Sequence, residues 1–136
     1  MIVVIAEVLP QLDRFDTDSG SLEELHEICD RLSACDDARD AVPRVLKFIE
    51  QNPHADLGCP GPLVHFLEQF FRSGYEEALA SSVEQRPTLL NAWMLNRLIN
   101  GTEGNEKRRY RLVMERVAAH ASDSEVRKLA AEFLGR

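Results

Sequence analysis

The sequence predicts an all-α fold, in which antiparallel helix pairs stack as a short solenoid or pack as an irregular bundle. Three observations carry this expectation. Apolar residues recur at the three- and four-residue spacing of a single helix face in segment after segment. These segments open on residues able to satisfy free first-turn amides and close on Gly, Asn or Pro. Only one stretch, residues 2–9, is β-branched enough for a strand, and nothing elsewhere would pair with it.

That first stretch is therefore read as helical. Leu9, Leu12 and Phe15 suit a helix kinked or broken at Pro10. Ser21-Leu22-Glu23-Glu24 reads as a capping box, with the Ser21 hydroxyl taking a first-turn amide and Glu24 reaching back. Leu22, Leu25, Ile28, Cys29 and Leu32 then form one face, and the acids between them point away. The next helix begins near Asp40, carries Pro43 harmlessly in its first turn, buries Val42, Val45, Leu46 and Ile49, and stops at Asn52-Pro53.

After a loop over 53–61, Pro62 opens a helix whose Leu63, Val64, Phe66, Leu67, Phe70 and Phe71 cover most of its circumference. A helix this apolar belongs at the centre of the molecule. Ser73-Gly74 breaks it. Tyr75, Ala78, Leu79 and Val83 start another helix. Pro87 opens the next, with Leu90, Met94, Leu95, Leu98 and Ile99 inside and Asn100-Gly101 as a left-handed stop. Gly104 punctuates the following loop. Tyr110, Val113, Met114 and Val117 mark a long helix running to about Ala121. The positions expected to be buried at the centres of these stripes include Leu67, Phe70, Met94, Val117 and Phe133.

Residues 122–135 form the last helix. The Asp123 carboxylate can cap it, and Val126, Leu129, Ala130 and Phe133 share one face. The stretch resembles the second helix of a HEAT-type repeat, with its acid, Val-Arg pair, alanines and final leucine. That resemblance implies a HEAT-like stack whose earlier pairs are degenerate repeats. Such proteins usually bind macromolecules and rarely do chemistry.

Composition narrows the function further. A chain of 136 residues with 44% apolar content is expected to form a single helical domain spanning 1–136. The three cysteines are odd in number and irregularly spaced, so no disulfide framework is expected. No apolar run approaches a membrane span, and the apolar opening lacks the basic leader of a secretory signal, so a cytoplasmic protein is expected. The net charge is −7, with 13 acids against five Lys/Arg in residues 1–60. Such a field repels nucleic acid and attracts basic partners, or else serves solubility alone. The basic run Lys107-Arg108-Arg109-Tyr110-Arg111 is short and reads as the solvated start of a helix.

Chemical signatures are absent. His26, Cys29 and Cys35 lack the paired spacing of a zinc site. Cys59 sits in a Gly/Pro loop with His54 five residues away, which is a weak coincidence, and no phosphate loop or nucleophile elbow occurs. The expectation is a protein without catalytic residues, cofactor or metal. Its candidate partner-binding residues fall in three sets. Asp36, Asp37 and Asp40 cluster between two helices. His65, Glu68, Gln69 and Arg72 form a polar stripe at helical spacing on an otherwise apolar helix. Trp93, Asn96, Arg97 and Asn100 lie beside a core stripe, and Trp and Arg are frequent binding anchors. Trp93 also suits a plug in a seam between helices.

Gly61-Pro62-Leu63-Val64-His65-Phe66-Leu67-Glu68, then Tyr75-Glu76-Glu77, Arg86-Pro87-Thr88 and Trp93-Met94-Leu95-Asn96-Arg97 together resemble small all-helical immunity proteins of bacterial polymorphic-toxin and contact-dependent inhibition systems. The similarity covers about residues 60–101. It implies a protein that binds and neutralises a cognate toxin domain by occlusion. Many such toxins are basic nucleases, which matches the acidic front of this chain. The other reading is a helical-repeat adaptor or scaffold protein in a larger bacterial assembly.

Overall fold

The computed structural model describes residues 2–58 and 60–136. Its regular structure is α-helical, with eight α-helices, one 3-10 turn and no strand among the described residues. No helix among them is long and apolar enough to cross a membrane. The chain divides into two compact units, one up to Tyr75 and one from Glu76 onward.

In the first unit, α1 (Ile5–Asp13) follows the extended Val4 and buries Val8, Leu9 and Leu12. It runs on through Pro10, so the β-branched start is helical from Ile5. Phe15 falls beyond its end and meets the Phe48 ring at 6.3 Å. α2 (Leu22–Ser33) is capped by Ser21 as expected, the Glu24 amide donating to Ser21 Oγ at 3.1 Å, but the Glu24 side chain makes no return bond to the Ser21 amide, so the capping box is only half formed. It buries Leu25, Ile28, Cys29 and Leu32, while Leu22 remains exposed. A 3-10 turn, Ala38–Ala41, leads into α3 (Val42–Gln51), with Pro43 in its first turn. α4 (Gly61–Glu68) buries Pro62, Leu63, Val64, Phe66 and Leu67. α2 packs against both α1 and α4, which makes it the centre of this unit. At the surface, Arg44 grips the Asp13 carboxylate at 2.7 and 2.8 Å, tying α3 to α1.

The second unit takes up α5 (Tyr75–Gln85) from its second residue, followed by α6 (Leu89–Asn100), α7 (Gly104–His120) and α8 (Ser124–Phe133). α7 packs on both α6 and α8, and α6 also touches α8. Glu77 pairs with Arg109, and Glu84 with Arg116 at 3.1 Å. The two pairs advance seven residues on each helix, so α5 and α7 run parallel, side by side. α8 opens on Asp123, whose carboxylate accepts the Glu125 amide at 2.8 Å.

Several boundaries differ from the sequence expectation. α4 stops at Glu68, not near Arg72, because residues 69–74 coil into successive turns. The Phe70 and Phe71 amides bond back three residues, to Leu67 and Glu68. Pro87 does not open α6. Thr88 does, through a reciprocal capping box with Asn91. Gly101 ends α6 at φ −96°, with no left-handed turn, while Gly104 at φ 63° is the first residue of α7. Leu67, Met94 and Val117 are buried, as expected. Phe70 and Phe133 are half-buried, because each sits at or past a helix end where fewer neighbours close over the ring.

Candidate functional site

The three aspartates after α2 do not act alike. Asp36 and Asp40 are exposed. Asp37 is half-buried, and its carboxylate accepts the Ile5 amide at 2.9 Å. Ile5 is the first residue of α1, where free amides and the helix dipole favour a negative charge. Asp37 is therefore a cap supplied from 32 residues away, which no local pattern reveals. The Asp36 amide also donates to the Val3 carbonyl at 3.2 Å. These two bonds lay the chain's start along the acidic loop.

They also bring Glu7 to the cluster. Burial pushes the Cys35 thiol up, and the negative charges of Asp37, Glu7 and Asp36 push it further in the same direction. Glu7 thus belongs to the acidic face, although its distance in sequence hid it. Cys35 Sγ donates to the Arg31 carbonyl at 3.3 Å. Burial pushes the Cys29 thiol up to about 12. A thiol held protonated is a poor nucleophile and a poor metal ligand. No group of three or more His, Cys, Asp or Glu among the described residues could hold a metal ion. Cys59, half of the weak His54 coincidence, lies outside the described residues.

The polar stripe expected on the helix opened by Pro62 is not a stripe. His65 and Glu68 lie on α4, but Gln69 is its C-cap and donates to Ser33 Oγ at 3.1 Å. Arg72 sits in the turn beyond, at φ 69°, with its guanidinium 4.7 Å from the Phe71 ring centre. The helical spacing of these four residues was real in sequence but ran past the end of the helix. The exposed Phe71 is a surface aromatic that the pattern had assigned inward.

The α6 set holds together better. Trp93 and Asn96 are half-exposed, and Arg97 and Asn100 are exposed. Arg97 lies over the Trp93 ring at 5.2 Å, one turn on, so the face offers an indole already stacked with a cation. Trp93 is neither a sealed core plug nor a free anchor. Behind it, the buried Asn91 fixes the start of α6. It accepts from the Thr88 amide at 2.7 Å and donates to the Arg86 carbonyl at 3.0 Å.

A cavity of about 400 Å³ opens in the second unit between the C-terminal halves of α5 and α7. Val83, Val113, Val117 and Pro87 give it an apolar floor, and Glu84, Arg116 and His120 stand on its rim. The chain matches no protein-family model, no curated protein and no solved structure.

Proposed function

We propose that this chain is a binding protein of the immunity type, which neutralises a basic toxin domain by occluding it. The observation that carries this reading is where the charge lies. The first unit holds fourteen acids against six Lys/Arg, and the second nine against ten. Glu7, Glu23, Glu24, Asp36 and Asp40 are exposed and make no ion pair with a described residue. Uncompensated carboxylates gathered in one unit favour a cationic partner and speed its encounter. Within the second unit, the Trp93-Arg97 face offers an aromatic anchor of its own with a donor beside it. The α7-α8 pair is in keeping with a HEAT-like arrangement of helix pairs, in which exposed faces recognise other proteins. In this reading the protein needs no cofactor and catalyses no reaction.

The test is co-expression with the toxin-like C-terminal domain encoded by the neighbouring gene, scored by rescue of growth and by co-purification. Both are expected. Failure of both, with each protein folded and expressed, overturns the reading. Within a complex, Asp36→Lys with Asp40→Lys should lower the association rate, and Trp93→Ala should raise the dissociation rate by an amount worth about 2 kcal/mol. Asp37 is left intact in this test because its carboxylate holds α1.

A further inference from the structure

The pairing of α5 with α7 leaves a cavity that the partner-binding reading does not use. The Glu77-Arg109 and Glu84-Arg116 pairs zip the two helices together. Beyond the second pair both helices end, at Gln85 and His120, and the cavity opens there. Its volume of about 400 Å³ falls in the range of small-ligand sites. The floor is made of Val83, Val113, Val117, Pro87 and Ala121, with Gln85 and Ser122 at the edge.

We propose that this cavity binds a free α-amino acid with an apolar side chain. The rim sets the ligand's charge. Glu84 and Arg116 neutralise each other, so a ligand with a single charge would pair with one of them and strand the other. A zwitterion inserted between them satisfies both, its carboxylate on Arg116 and its ammonium on Glu84. The ammonium would sit near the C-terminal ends of two parallel helices, where the carbonyl ends of the helix dipoles favour positive charge. The valine floor sets the rest of the ligand, since only an apolar side chain gains by leaving water there. Arg116 can turn from one carboxylate to another at little cost, because the existing pair is about half exposed, 59% for Arg116 and 46% for Glu84, and such pairs contribute little to stability.

The experiment is a calorimetric titration of the full chain with L-leucine, alongside leucine amide and 4-methylpentanoate. Leucine should saturate a single site. The amide lacks the carboxylate and the acid lacks the ammonium, so each should bind at least about tenfold more weakly. Glu84→Gln and Arg116→Gln should each weaken leucine by about tenfold as well, with the helical circular-dichroism signal unchanged. Absence of leucine binding by the native chain overturns the proposal. So does equal binding of leucine and either analogue, or full-strength leucine binding by both variants. No protein partner enters the measurement, so the result stands apart from the immunity reading.

Discussion

Two glycines separate backbone conformation from available space. A Cβ on Gly74 would meet nothing within 4 Å, yet its φ is 101°, which side-chain-bearing residues rarely adopt. Gly74→Ala should therefore destabilise by about 1–2 kcal/mol through backbone strain alone. Gly101 has an ordinary φ of −96°, and a Cβ there would touch the Arg97 carbonyl at 3.4 Å, a van der Waals contact. Gly101→Ala should stabilise by about 0.4–1 kcal/mol, because alanine restricts the unfolded chain. Urea unfolding of the two variants checks the opposite signs. Cys29 gives a pH prediction. Its folded pKa is raised from 9.0 to about 12, so the unfolded chain loses this proton first. The associated stability is complete below pH 9 and is lost as pH rises toward about 12. Cys29→Ala should flatten the alkaline limb of the stability profile.

At the scale of the element, helix starts were legible where a single adjacent cap stood without a competing local signal. Ser21 and Asp123 were read correctly from short range. The α6 start was misread because Pro87 is a stronger local signal than Thr88, and the choice was made by Asn91. That side chain is fully buried and serves the Thr88 amide, the Arg86 carbonyl and Ser82 Oγ together. Asn91→Ala should cost about 2–3 kcal/mol, combining a lost cap with buried groups left unpaired. Thr102 is a useful contrast. It is also buried, but its hydroxyl donates at 2.9 Å to the Leu98 carbonyl, which already accepts the Gly101 amide. Thr102→Val should cost less than about 1 kcal/mol. Thermal denaturation of both variants measures the difference.

For the whole molecule, charge separates the two units more sharply than hydrophobicity does. The acids of the first unit repel one another at low salt, while the second is nearly balanced. Raising ionic strength to about 0.15 M shortens the screening length to about 8 Å and should relieve that repulsion. Amide exchange should then slow in α2 more than in α7. Equal slowing in both helices would show that the charge asymmetry has no energetic consequence. The same screening should slow association with a basic partner, so salt is expected to stabilise the first unit and weaken its recognition at once.

The sequence by itself determined the helices and most of the core, because helical spacing and adjacent caps are local properties. It determined the charge asymmetry as well, which needs only counting. It located the Trp93 face, since one helix carries all four residues. The tertiary structure decided what depends on distant partners. Asp37 became a cap for α1 because Ile5 lies beside it, and Glu7 joined the acids by the same approach. The run from His65 to Arg72 was divided because the chain turns after Glu68. The cavity by Glu84 and Arg116 exists only because α5 and α7 lie parallel, a relation that no spacing within either helix encodes.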